Sequence, residues 1–338
     1  MNNTMDNIID NFHIEDCSKL ELHIHIIGHY PKGESILVIL WDGNDNSVLR
    51  SILIDSYQTK KGNIAYELLK EYSIDKTKLN YFVWTHPDLD HSTGIPTIID
   101  NFANKKTRYI VPVGLTSKVF KKLSGTLFKA WWYIKTRPKL TVSPVSRCIV
   151  YSNTPNICQY FDDGISDNVK FSLEIVAPLS EISFNETEIK KKIYKNDISV
   201  AFNIVFGQLR FFFGGDITNT SIRKIPNDYF QNTVFVKIPH HGSSTSNILI
   251  DKYKNINHDL IEASNPIIAV STIFEDHHTH LPETNVLDSY GTISNGILVT
   301  NNTTNKINNL GIWSLKYKLN SQKVSYEPIS KGDAYIYK

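Results

Sequence analysis

Thr85-His86-Pro87-Asp88-Leu89-Asp90-His91 is the stretch that decides how this sequence is read. Four side chains able to ligate a divalent cation (His86, Asp88, Asp90 and His91) fall within six residues, directly after the apolar run from Tyr81 to Trp84. That run reads as a short buried strand. An extended loop leaving it puts His86, Asp88 and Asp90 on one side, and His91 turns inward as a helix begins. Imidazole suits zinc, manganese or iron, and carboxylate adds tolerance for magnesium and manganese. Acids and imidazoles gathered on one side of a buried loop repel one another or stay unsatisfied unless a cation joins them.

Three later segments share this design of an apolar strand ending in ligand-type residues. Phe211-Phe212-Phe213-Gly214-Gly215-Asp216 ends in two glycines, which let the backbone approach closely, and a carboxylate able to bridge two cations. Val236-Lys237-Ile238-Pro239-His240-His241-Gly242-Ser243-Ser244 ends in paired histidines and hydroxyls, and Asp276-His277-His278-Thr279-His280-Leu281-Pro282 follows the apolar run Ile267 to Val270. Strand ends carrying such groups are how α/β sheets build sites.

Outward from these motifs, Leu20–Ile27, Ser35–Leu40, Val48–Ile54, Phe171–Ala177, Ser199–Phe206, Leu209–Phe213 and Val234–Ile238 read as strands, and Asn63–Tyr72 and Ile95–Phe102 as helices. Leu20–Ile27 alternates as a half-buried strand, so His23 and His25 mark its other face rather than a metal pair. Glu186–Lys195 reads as a solvated helix or loop. Residues 1–19 form a lead-in, residues 20–338 a single domain, and the weakly patterned stretch at about 115–170 an insertion.

The composition, 41% hydrophobic and 21% charged over 338 residues, excludes disordered, collagenous and coiled-coil chains. No apolar run is long enough to span a membrane. Cys17, Cys148 and Cys158 are odd in number and not spaced as a zinc knuckle, and the start MNNTMDNIIDNF lacks a secretory pattern, so a reduced cytoplasmic chain is expected. Net charge is only +2, but its layout is uneven: residues 101–161 hold eleven basic residues and no Asp or Glu. Phe120, Phe128, Trp131, Trp132 and Tyr133 are interleaved with them. Such a block either faces phosphates and bases or is a solvated helix whose aromatics pack inward.

The ordered series ILIDS (52–56), THPDLDH, KNDIS (195–199), GGDI, PHHGSS and HLPE resembles the metallo-β-lactamase fold superfamily, and more narrowly the soluble hydrolase domain of ComEC-type DNA-uptake proteins. That branch has His-x-Asp-x-Asp-His in place of the usual His-x-His-x-Asp-His. The resemblance spans about residues 20–320 and implies a four-layer αββα sandwich. It implies metal ligation by His86, Asp90, His91 and Asp216, with Asp88 where most members have a second histidine. It also implies His280 as the late ligand, with His277 or His278 as fallbacks. Asp55 matches the early aspartate that supports the metal loop, with Asn196 and Ser199 beside it. The family's middle histidine is missing, which leaves His241 or His240 to compensate as ligand, phosphate donor or general acid.

The expected chemistry is hydrolysis by water activated between two divalent ions, zinc or manganese with magnesium as a further option, and no other cofactor. Asp90 holds and orients the nucleophilic water, while His241 and His240 are candidate catalytic groups. Ser243, Ser244 and Lys237 are candidate phosphate contacts. A nucleic-acid or nucleotide phosphodiester is the expected substrate, with no membrane and no readable protein partner. A small ester, lactone or thioester hydrolase on the same metals, and a metal-binding sensor without catalysis, are the alternatives.

Overall fold

The computed structural model describes residues 19–120, 123–136, 141–145, 160–162, 171–189, 193–206, 209–256, 268–302, 308–320 and 323–338. Two eight-stranded sheets stack face to face. The first runs in space β17 (Lys323–Gly332), β16 (Leu310–Asn320), β1 (Leu20–His29), β2 (Glu34–Asp42), β3 (Ser47–Ile54), β4 (Tyr81–Val83), β5 (Arg108–Pro112), β6 (Thr141–Val145). The second runs β18 (Tyr335–Ile336), β15 (Gly296–Val299), β12 (Ile268–Ser271), β11 (Thr233–Lys237), β10 (Leu209–Phe213), β9 (Ala201–Phe206), β8 (Phe171–Ala177), β7 (Tyr160–Asp162). A two-stranded ribbon joins β13 (Phe274–Glu275) to β14 (His280–Leu281).

Period-2 alternation sorts the side chains into layers. In β10, Phe211 and Phe213 enter the core between the sheets while Phe212 joins the cluster on the outer face. Ile24, Val38 and Ile52 from the first sheet meet Phe202, Phe211 and Phe235 from the second in that central core. Leu37, Leu53, Phe82 and Trp84 point the other way, under helices Ile64–Glu71, Ile95–Phe102 and Gly125–Thr136. Val236, Ala269 and Ile297 do the same under helices Ile248–Lys254 and Thr284–Tyr290. The result is the four-layer αββα sandwich that the resemblance implies. Truncating a central aromatic such as Phe211, fully buried, costs about 3–5 kcal/mol.

Each sheet contains a parallel portion, β3-β4-β5-β6 in one and β10-β11-β12-β15 in the other. Parallel strands send their C-terminal ends to one edge, so loops after β3, β4, β10, β11 and β12 cluster there, where ligands bind in such sheets.

Several expectations need correction. His23 and His25 do lie on the outer face of β1, but that face is closed too: both are buried, with Tyr72, the residue capping helix Ile64–Glu71, hydrogen-bonded to each. Glu186 is not solvated. It is 2% exposed and accepts the Tyr194 N–H at 2.9 Å. Within 115–170, β6 extends the first sheet and β7 the second. Cys17, Cys148, Cys158, Lys121, Lys122, Arg137, Lys139, Arg147 and Ile267 lie outside the described residues. No helix among the described residues is long and apolar enough to cross a membrane.

Candidate metal centre

Asp55 directly follows β3 in a left-handed backbone conformation, φ 54°. Its carboxylate accepts the Thr85 N–H at 2.7 Å, the Thr85 hydroxyl at 2.6 Å and the His91 Nδ1–H at 2.7 Å. One buried carboxylate thereby fixes both ends of the loop that carries His86, Asp90 and His91. The loop is also tied to the opposite sheet, since Val200 N–H donates to Thr85 O at 2.8 Å. On that side a Cβ on Gly215 (φ 49°) would stand 2.5 Å from Ser199 Oγ and 3.2 Å from Thr85 Cβ. Only glycine lets the Asp216 turn come this close. Ser199 Oγ accepts the Asp216 N–H at 3.0 Å.

Five ligand-type side chains converge. His91 Nε2 lies 3.4 Å from His241 Nε2, 3.5 Å from Asp90 Oδ2 and 3.7 Å from Asp216 Oδ1. His86 Nε2 is 3.6 Å from Asp216 Oδ2, and His241 Nε2 is 3.3 Å from Asp90 Oδ2 and 3.6 Å from Asp216 Oδ2. Donor atoms bound tetrahedrally to zinc at about 2.0–2.1 Å stand roughly 3.3–3.4 Å from one another, and the separations among these atoms, 3.3–3.7 Å, are close to that. His86 Nε2 and Asp216 Oδ1 are buried with no hydrogen-bond partner. A shared cation answers both orphans at once.

The tautomers follow from proton counting. The Thr85 hydroxyl gives its only proton to Asp55, so at 3.0 Å it accepts from His86 Nδ1–H. His91 Nδ1–H is spent on Asp55. Both imidazoles therefore present a bare or exchangeable Nε2 to the cluster. Burial disfavours charge on His86, Asp90, His91 and Asp216, and attraction to opposite charges opposes it. Asp90 is held well below the ordinary carboxylate range by its neighbours His91 and His241. Asp216 is held there by His241, His91 and His86. Asp90, Asp216 and Asp55 outweigh burial at His91 and hold it well above an ordinary histidine, whereas burial and the neighbouring His91 push His86 down.

The remaining sequence-derived candidates sit elsewhere. Asp88 caps helix Leu89–Ser92 by accepting from Leu89 N–H and is ion-paired with Lys195, so its carboxylate is not in the cluster. His280, His277 and His278 are exposed on or beside the β13–β14 ribbon. His240 stands at the rim, its Nε2 3.0 Å from the Asn196 amide and its Nδ1 2.8 Å from Thr245 Oγ1. Lys237 is fully buried, 2.8 Å from Glu34 Oε2 and donating to Ile238 O, which keeps it from a substrate phosphate. Ser243 Oγ caps the following turn through Thr245 N–H, and Ser244 N–H donates to Glu283. His240 and His241 both adopt φ near 50°, a left-handed pair that costs about 1–3 kcal/mol per residue and is typical of functional sites. Glu34 and Thr272, absent from the sequence reading, lie directly behind His241. Glu34 gave no signal because it opens an ordinary strand.

No protein-family model matches the sequence, and no curated protein does. Similar solved structures include the metallo-β-lactamase fold protein YhfI from Bacillus subtilis, with a TM-score of 0.42 and 12% identity over 83% of this chain and 95% of that one. A Thermotoga maritima protein described as a metallo-β-lactamase has a TM-score of 0.31 and 14% identity over 59% of this chain and 80% of that one.

Proposed function

We propose that this chain is a metal-dependent hydrolase acting on phosphodiesters, a phosphodiesterase or nuclease. The observation that carries the metal dependence is the convergence of three imidazoles and two buried carboxylates, with His86 Nε2 and Asp216 Oδ1 left unpartnered. His86, Asp90, His91, Asp216 and His241 would hold the metal. Divalent cations supply a water of lowered pKa and charge to clamp the attacking and leaving oxygens. Asp90, buried and held ionised, accepts a hydrogen bond from the attacking water and fixes its direction. Asp55 keeps His91 and, through Thr85, His86 from rotating as charge develops. Asn196 and Thr245 hold His240 at the rim, where the substrate enters.

The preference for a phosphodiester over a carbonyl ester rests on helix Gly125–Thr136, which packs beside helix Leu89–Ser92, the bearer of Asp90 and His91. Trp131 and Phe120 are core residues, as a solvated-helix reading requires. Trp132, however, is 51% exposed and stacked on the exposed Phe128, with Lys129 and Lys135 exposed on the same helix. Aromatic faces flanked by cations, in a stretch free of acids, suit bases and phosphates.

The test offers the purified chain with Mn²⁺, Mg²⁺ or Zn²⁺ single- and double-stranded DNA, RNA, cyclic nucleotides and, in parallel, aryl esters and lactones. Metal-dependent phosphodiester cleavage, lost in the Asp90→Asn/His91→Ala double variant and with polymer binding that weakens as salt rises, is expected. Ester hydrolysis without phosphodiester cleavage, or cleavage that survives the double variant, would overturn the reading.

A further inference from the structure

The cluster has a second supporting carboxylate on its other side. Thr272 follows β12, and its hydroxyl donates to Oε2 of Glu34, the first residue of β2 in the opposite sheet. His241 Nδ1 lies 2.8 Å from the same hydroxyl oxygen. With its one proton committed to the carboxylate, Thr272 can only accept from His241 Nδ1–H, which turns Nε2 toward Asp90, Asp216 and His91 as the atom free to ligate. This is the Asp55–Thr85–His86 arrangement repeated on independent residues. Glu34, Thr272 and His241 are all buried, and Lys237, 2.8 Å from the same Glu34 oxygen, orients Glu34 from behind.

We propose that Glu34 and Thr272 form a positioning relay that fixes His241 in the Nδ1–H tautomer and makes it the metal-ligating imidazole that the Asn196–Ser199 segment lacks. The relay rests on the metal-dependent reading of the centre and deepens it. Neither residue touches the cation or the substrate. Their work is to set which nitrogen of His241 carries the proton and to lock the ring, the role that carboxylate and hydroxyl partners play behind metal-bound histidines. It also accounts for the left-handed backbone at His241, φ 51°, because the turn delivers Nδ1 to Thr272 and Nε2 to the cluster at once.

The experiment has two readouts besides turnover. Long-range ¹H–¹⁵N correlation spectra of the metal-free, histidine-labelled protein report the His241 tautomer. Zinc affinity is measured by competition with a chelating dye. The unsubstituted protein is expected to show a proton on His241 Nδ1, whether or not Nε2 carries one as well. Thr272→Val, which keeps the shape and removes the hydroxyl, releases that preference and weakens zinc binding by about 10–100-fold. Thr272→Ser restores both, a recovery that a purely structural role of the threonine would not require. An Nε2–H tautomer in the unsubstituted protein overturns the relay without any variant having to fold. So does a Thr272→Val protein that binds zinc as tightly as the unsubstituted one with His241 still Nδ1–H, and in that case the functional reading stands. Failure of the unsubstituted protein to bind zinc, manganese or magnesium would instead overturn the functional reading.

Discussion

Two groups of buried histidines differ in what is left over. On β1, His23 and His25 share the Tyr72 hydroxyl, at 3.0 Å and 2.8 Å; His23 Nε2 meets Glu21 at 2.8 Å and His25 Nδ1 meets Ser314 Oγ at 2.8 Å. A single direction of donation satisfies them all: Ser314 to His25, His25 to Tyr72, Tyr72 to His23, His23 to Glu21. Every ring nitrogen is consumed by the protein. At the strand ends of the metal centre the Nδ1 atoms are consumed by Asp55, Thr85 and Thr272, and each Nε2 is turned toward carboxylates. A buried histidine is thus read by its unused nitrogen and by the charge facing it. His29 shows that both conditions count: its Nε2 is unpartnered, its ring packs on Tyr57 at 5.2 Å, and it belongs to none of the candidate metal groups.

The comparison is broken most decisively by exchanging one residue in each group. Asp216→Asn is expected to abolish both metal binding and hydrolysis, while His25→Gln leaves metal stoichiometry, read by elemental mass spectrometry, as it was. Metal lost in the β1 variant would show that the two groups are not separate. Next in size, Asp55→Asn is expected to weaken metal affinity by about 10–100-fold, because it unlocks His91 and His86 without removing a ligand. A calorimetric titration measures it, and an unchanged affinity would remove Asp55 from the centre's support. The cation also stabilises the fold: at about a hundredfold excess over Kd, binding to the folded state contributes about 2.7 kcal/mol. That is a rise of several degrees in the unfolding temperature, expected of the unsubstituted chain and His25→Gln and missing in Asp216→Asn.

A separate effect, on the pH dependence of stability, belongs to the β1 group. Burial pushes His25 down to about 3 and His29 to about 4, against roughly 6.5 in an unfolded chain. The unfolded state then binds more protons over the interval between these values. The stability these neutral histidines contribute is complete above about pH 6.5 and is lost as pH falls toward 4. Urea midpoints measured from pH 7.5 to pH 4.5 should fall, and His25→Gln, which keeps hydrogen-bonding capacity without titrating in this range, should flatten the fall. An equal slope in the variant would show that His25 is not buried neutral.

The strand ends were legible in the sequence because burial on both faces leaves continuous apolar runs, as in Phe211–Phe213 and Tyr81–Trp84, and ligand-type residues follow them directly. Helix Ile95–Phe102 was legible for its apolar period. The layers and the convergence of His86, Asp90, His91 and Asp216 are what the family resemblance of the ordered motifs implied. What the pattern does not carry is side-chain direction inside a loop. Alternation put Asp88 beside His86, but the onset of helix at Leu89 makes Asp88 a cap that reaches for Lys195. Lys237 looked like a phosphate contact because a lysine at a strand end is usually exposed, and Glu34, far away in sequence, draws it inward. Glu34 and Thr272 were invisible for the same reason: their roles exist only where β2 and β12 meet across the two sheets.

The central claim is that the strand-end cluster holds divalent cation, and anomalous diffraction from crystals grown with zinc tests it most directly. The account predicts zinc peaks within bonding distance of His86, His91 and His241 Nε2 and of the Asp90 and Asp216 carboxylates. A map with no peak among those atoms, or with its zinc at His23 and His25 instead, would contradict it.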